Sequence, residues 1–232
     1  MATKTRIHAE ERRQQIIDAA KPLFANNGFN GTSIRDIAKA ADVSNALLYK
    51  HFPSKEAMYE EILKYTDWLF PKVLRAMERL EPSTEALIFI FYTIYRVILF
   101  DVSENSSTQR QHERLLFYSF LENIDYAQKH LNTLYKTAED VIRKNFQAAE
   151  KSGDVVGLKI HRQNRFWFVH HLAMGINLCH VSETPAFDYE ATLEELMEDA
   201  LHFAIRGIGL TDAAIKKYYK PKKMKEKMKD LI

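Results

Sequence analysis

One cysteine in 232 residues, Cys179, leaves no intrachain disulfide to form, and a reducing, cytoplasmic setting is the simpler expectation. Seven glycines and six prolines are few for a turn-rich β protein or a nucleotide-binding α/β fold. No stretch alternates β-branched with polar residues over a strand's length, so the chain reads as all-α. A glycine-rich phosphate loop and a nucleophile elbow are both missing, and an enzyme finds no support. His161, His170, His171 and His180 stand near Cys179 without the spacing of a known metal motif; neither metal nor cofactor is expected. The opening "MATKTRIHAEERR" is charged where a secretory signal would be apolar. The most hydrophobic run, "ALIFIFYTIYRVILF" at 86–100, is short for a bilayer span and holds Arg96. It reads as a buried bundle helix, and no membrane partner is expected.

What is present is unevenly charged. Residues 1–55 hold nine Lys and Arg against five Asp and Glu, while 56–215 hold sixteen against twenty-four. Residues 216–232 return to eight lysines against two acids. A basic head on an acidic body is the pattern of a chain whose head meets a polyanion, although a few charges either way also arise by chance.

The head divides into short helices. Ile16, Ile17, Ala20, Leu23 and Phe24 share one face of a helix from about Ala9 to Ala25, which Gly28 is suited to stop in a left-handed turn. A second helix begins near Thr32 or Ser33 and buries Ile34, Ile37, Ala38 and Ala41. After Asp42-Val43, a third opens at Ser44 and runs to about His51, where Pro53-Ser54 breaks it and Ser54 caps a fourth. Two short helices across a tight turn, braced by a longer one, form a helix-turn-helix. Within "VSNALLYKHFPSK" (43–55), Leu48 and Phe52 point one way while Asn45, Ala46, Tyr49 and Lys50 point the other. No carboxylate falls between Asp42 and Glu56, which suits an approach to phosphates.

Further helices are expected at about 54–69, 84–100, 113–123, 126–151, 165–181 and 189–207, with loops at 101–111 and 182–188. Pro71 kinks the chain or starts a new piece, and the tail from Ile215 is rich in lysine. The tail touches DNA or lipid, or is a solvated C-terminal helix.

The segment "RRQQIIDAAKPLFANNGFNGTSIRDIAKAADVSNALLYKHFPSKEAM" resembles the N-terminal domain of the TetR family of bacterial transcriptional regulators. Leu23-Phe24, Gly28, Thr32, Ile37-Ala38, Val43-Ser44, Leu48-Tyr49, His51-Phe52 and Lys55-Glu56 carry the match, over about residues 10–58. The resemblance implies a three-helix DNA-binding domain at 1–55 and a larger helical effector-binding and dimerisation domain at 56–232. Asn45 and Lys50 are placed to read base edges, an amide suiting adenine and an ammonium guanine. Ser44 opens the reading helix. Ala46 and Leu47 stand where many members carry glycine and a small hydroxyl residue, and favour apolar contact such as thymine methyls. By resemblance, Tyr49, His51, Thr32 and Ser33 donate to phosphates, Lys55 is a further phosphate anchor, and Arg35 reaches a phosphate or a base. Lys4 and Arg6 form a DNA-reaching arm or a disordered end. Tyr49 packing beside the first helix and His51 as a plain surface residue are the alternatives.

One head reads few base pairs, so a homodimer on a palindromic duplex operator is expected, paired through helices at about 162–181 and 189–207, where Ala173 and Gly175 allow close packing. The alternative is that these helices merely finish the monomer core. An effector pocket is drawn from Trp68, Tyr92, Tyr95, Arg96, Phe117, Tyr118, Trp167, His170, His171 and Asn177, for a bulky hydrophobic or aromatic small molecule. These side chains equally suit a core. The helix from Ser54 joins head to body, so a ligand that shifts it releases the operator. The competing function is a DNA-bound factor that takes no small molecule and presents its body to a protein partner.

Overall fold

A computed structural model describes residues 9–64, 73, 75–100, 106–122, 124–180, 182 and 184–230, with the backbone alone at 64, 106–110 and 112. Lys4, Arg6, Trp68 and Pro71 lie outside the described residues. Among those described, eleven helices form: α1 (Ala9–Asn27), α2 (Ile34–Ala40), α3 (Asn45–His51), α4 (Lys55–Lys64), α5 (Thr84–Leu99), α6 (Ser106–Glu122), α7 (Ile124–Lys151), α8 (Arg162–His180), α9 (Leu193–Gly207), α10 (Asp212–Tyr218) and α11 (Pro221–Lys229). The only extended pairing among them is an isolated bridge between Val155 and Leu210. No helix of the described residues is long and apolar enough to cross a membrane. The chain divides into two compact units, residues 1–68 with 106–130, and residues 69–105 with 131–232.

The first unit packs α1, α2, α3 and α4 with α6 and the opening turns of α7. Ile16, Ile17, Ala20 and Phe24 of α1 share a core with Ile37, Leu48, Phe52, Met58 and Tyr59. Phe24 and Tyr59 meet edge to face at 5.0 Å, and Phe29 sits 5.2 Å from the same tyrosine ring. Gly28 ends α1 at φ +73°, the left-handed stop expected of it. Ser33, Ser44 and Ser54 each accept a backbone amide three residues on, at 3.1 Å, capping α2, α3 and α4. Asp42 at φ +50° turns the chain between α2 and α3.

Helix α6 differs from expectation. Residues 101–111 read as a loop because they are polar, yet the helix starts at Ser106. Polarity does not break a helix; glycine and proline do, and the segment has neither. Further along α6, Leu115 and Ser119, four residues apart, are both buried.

The second unit is built on α5. From Ala86 to Tyr95 its residues are buried on every side and nearly all apolar, as a central bundle helix requires. The remainder of α7, with α8, α9, α10 and α11, surrounds the same core. Helix α9 begins at Leu193, later than residue 189, because Thr192 and Glu195 form a reciprocal capping box. The lysine-rich tail folds as two short helices, and Met224 and Met228 of α11 are buried in this core. Lys227 lies over the Phe89 ring and Lys225 reaches the Glu194 carboxylate at 3.3 Å, so α11 is docked as an amphipathic helix.

Replacing the α9 cap, Thr192→Ala, is expected to lower stability by about 1 kcal/mol in urea unfolding, while Thr192→Ser keeps most of it.

Candidate nucleic-acid interface

Helix α3 presents two faces. Leu48 and Phe52 are buried in the first unit's core, whereas Asn45, Ala46, Tyr49 and Lys50 are exposed. Tyr49 has about half of its surface in solvent, 51%, which is unusual for a ring beside a core and leaves its hydroxyl facing outward contacts. Ser44 is the N-cap, its oxygen accepting from the Leu47 amide. Leu47 and His51 are half-buried at the edges of the exposed strip. Apart from Ala46 the strip is polar, and it is cationic at Lys50 and free of carboxylates, which suits approach to a polyanion.

Around the strip, several side chains have partners within the chain. Thr32 is only 2% exposed, and its hydroxyl lies 2.8 Å from the Gly28 carbonyl and 3.1 Å from that of Leu23. This differs from a phosphate donor: the hydroxyl ties the turn before α2. Ser33 is exposed but donates to the Asp36 carboxylate at 2.5 Å while capping α2. Arg35 is exposed on the first turn of α2. The Lys55 ammonium donates to the Phe29 carbonyl at 2.8 Å and the Thr32 carbonyl at 3.0 Å, and stands 4.1 Å over the Phe29 ring. In the chain as it stands, Lys55 fastens the 28–32 turn to α4.

Residues not singled out in the sequence turn out to hold the reading helix. Arg13 of α1 donates to the His51 carbonyl at 2.9 Å, satisfying the C-terminal end of α3. The same guanidinium lies 4.2 Å over the Phe52 ring and is paired with Glu61 of α4. Gln15 donates to the Ala41 carbonyl at 2.8 Å, bracing the turn between α2 and α3. The available signal was their place: both sit on the rim of α1's apolar stripe, where a long polar side chain reaches a neighbouring helix.

The residues expected in an effector pocket are divided between the two units. Phe117 and Tyr118 belong to the first unit, on α6, and the rest of the described set belongs to the second. There, Arg96 is held by Glu194 at 2.6 Å and lies over the Phe100 ring. Trp167, His170 and His171 of α8 pack ring against ring with Phe166 and Tyr135: Trp167 stacks on His171 and Tyr135, Phe166 on His170, and Trp167 meets His170 edge on. Although exposed on α8, the His171 ring is partly desolvated by its neighbours, which lowers its pKa. Tyr92 and Tyr95 are fully buried and their hydroxyls meet no hydrogen-bond partner among the described residues, and burial raises both pKa values. Asn177 is buried on α8. A cleft of about 450 Å³ opens elsewhere, between α9 and α10, lined by His202, Arg206, Asp212, Ile215, Lys216 and Tyr219. None of those six belongs to the expected pocket set.

Comparison with known proteins bears on the first unit most strongly. Residues 16–62 match the family described as bacterial regulatory proteins, tetR family, and the N-terminal domain belongs to it. The HTH-type transcriptional repressor KstR2 of Mycolicibacterium smegmatis is 34% identical over 99 residues, 42% of this chain and 48% of that protein. The chain thus spans about half the length of the curated relatives it matches. A tetR-family regulatory protein of Rhodococcus RHA1 superposes with a TM-score of 0.64 at 16% identity, over 87% of this chain and 98% of that one. AibR, solved with isovaleryl coenzyme A and operator DNA, superposes at 0.61 with 19% identity, over 83% and 97%. At these identities the superpositions show a shared all-helical fold along most of the chain.

Arg13→Met is expected to speed amide exchange in the last turn of α3 and to lower stability by about 1 kcal/mol, since the guanidinium is partly solvent-screened. Hydrogen exchange followed by NMR checks it.

Proposed function

We propose that this chain, whose N-terminal domain belongs to the TetR family, is a dimeric DNA-binding transcriptional repressor released by a small molecule. The observation that carries the proposal is the exposed, carboxylate-free strip of α3, mounted on a buried Leu48–Phe52 face and capped at both ends. Asn45 and Lys50 read base edges in the major groove, with Ala46 and Leu47 against apolar base edges. Tyr49 and His51 grip phosphates on either side, with Ser33 and Arg35 from the start of α2. Lys55 acts on the backbone through the turn it fastens. The DNA-reading part is residues 1–55, and 56–232 carries effector binding and dimerisation.

The dimer is proposed to form through α8 and α9. Phe168 and Leu178 of α8 and Phe203 of α9 are large apolar side chains with more than half of their surface in solvent, Phe203 reaching 73%. Asn164, Phe168, His171, Gly175 and Leu178 are all exposed and recur every three or four residues, the spacing of a helix-packing seam. A Cβ added at Gly175 or Gly207 meets nothing within 4 Å, so the chain itself supplies no reason for glycine there. Glycine inside a helix is unfavourable by roughly 1 kcal/mol, and close approach by a second copy's helix explains Gly175. Ala173, expected to share that role, is turned into its own core.

The effector is proposed to bind in the second unit near Tyr92, Tyr95, Trp167, His170, His171 and Asn177. Two buried tyrosine hydroxyls without partners among the described residues support a bound polar group within this core. They favour this over the reading in which the body serves only a protein partner. A coupling of about 1–3 kcal/mol would weaken operator binding roughly 5- to 150-fold.

Two outcomes follow. In duplex titrations, Tyr49→Phe/Lys50→Ala abolishes selective binding, and wild-type log affinity falls with a slope of about −5 to −9 against log salt for 6–10 neutralised phosphates. In light scattering, Phe168→Glu/Phe203→Glu halves the particle mass of the wild-type dimer and weakens duplex binding; a wild-type monomer contradicts the pairing.

A further inference from the structure

Within the first unit, one face of α6 is bonded to the end of α1 at three successive turns. The Arg114 guanidinium donates to the Ala25 carbonyl at 2.7 Å and to that of Asn26 at 3.5 Å. Tyr118, four residues on, donates its hydroxyl to the Asn26 carbonyl at 3.4 Å. Four further, the Glu122 carboxylate accepts from the Phe29 amide at 2.6 Å and the Asn30 amide at 3.4 Å. Spacing of i, i+4 and i+8 aligns all three on a single stripe.

The chemistry matches the backbone it meets. The last carbonyls of a helix lack intrahelical partners and carry the negative end of its dipole, where a guanidinium belongs. Beyond Gly28 the chain reverses and offers amides, which a carboxylate takes. Gly28 is needed here twice over: its φ is +73°, and an added Cβ falls 3.0 Å from both Glu122 oxygens and 3.2 Å from the Tyr118 ring. On the far side of the same turn, Lys55 holds the carbonyls of Phe29 and Thr32. The five residues that lead into α2 are therefore pinned from α6 through their amides and from α4 through their carbonyls. Tyr59 adds a bond from α4 to the Leu115 carbonyl of α6 at 3.3 Å.

We propose that Arg114, Tyr118 and Glu122 of α6 are positioning residues that set the 28–32 turn, and with it the start of α2, in the geometry needed to meet a specific DNA sequence. This rests on the DNA-binding function proposed above. None of the three touches DNA in this account. They act through the turn, so their removal should affect discrimination between sequences and spare the general electrostatic attraction.

The test uses the full chain, a duplex enriched by the wild-type protein from a random-sequence library, and an unselected duplex of equal length. Glu122→Ala and Arg114→Met are each expected to weaken binding of the selected duplex about three- to thirty-fold. Binding of the unselected duplex and the melting midpoint should hold, and exchange of the Phe29 and Asn30 amides should quicken in Glu122→Ala. Glu122→Gln, which keeps an acceptor oxygen, and Arg114→Lys restore most of the loss. Selected-duplex binding within about two-fold of wild type in both variants overturns the proposal. So does a parallel fall in both duplexes together with the melting midpoint, which marks a merely structural role. If Glu122→Ala does not fold, Arg114→Met and Glu122→Gln decide. A wild-type protein that enriches no duplex, while its Phe29 and Asn30 amides stay protected, overturns the DNA function and the positioning role with it.

Discussion

A helix of seven residues makes too few backbone hydrogen bonds to persist in water, so α3 exists only because its inner face is sealed. Leu48 and Phe52 supply that seal, each closed off from solvent within the core formed by α1, α2 and α4. Full burial of two such side chains contributes on the order of 3–6 kcal/mol, enough to outweigh the ordering of one short helix. Ser44 at its start and Arg13 at its end then satisfy the terminal backbone groups that burial alone leaves open. Everything proposed for the outer face, from Asn45 to Lys50, depends on this inner one.

The two units divide the chemistry between them. The first is small, basic at its N-terminal end, and held by polar side chains that reach from one helix to the backbone of the next: Arg13, Gln15, Lys55, Arg114 and Glu122. Such bonds fix angles between short helices without demanding a large core. The second is larger and apolar at its centre, with α5 enclosed and α11 pinned by two methionines. Its unusual features lie on α8 and α9, where phenylalanines and glycines face outward, and on α5, where two buried tyrosine hydroxyls have no partner among the described residues. Both features fit the proposal of a dimeric repressor released by a largely hydrophobic or aromatic effector.

Much of the first unit was legible because its signals are local. Capping serines at 33, 44 and 54, a left-handed glycine at 28 and a strict apolar register determine helix ends within a few residues. Bonds that span long sequence separations were not. Nothing near Arg13 marks it as the partner of a carbonyl 38 residues away, and nothing near Thr32 or Lys55 marks their bonds to backbone carbonyls within the chain. The start of α6 was hidden by its polarity, and with it the role of Arg114 and Glu122. In the second unit, aromatic residues marked a core without saying which rings share a neighbourhood. Phe117 and Tyr118 fell in the other unit for that reason.

Dimethyl sulfate and hydroxyl-radical footprinting on a duplex selected by the full-length protein tests the central claim most directly. Two symmetric patches of guanine N7 protection in successive major grooves, each lost at its inner bases in an Asn45→Ala/Lys50→Ala variant, are predicted. Protection confined to the minor groove, or a major-groove pattern unchanged in that variant, would contradict the placement of α3 against the bases.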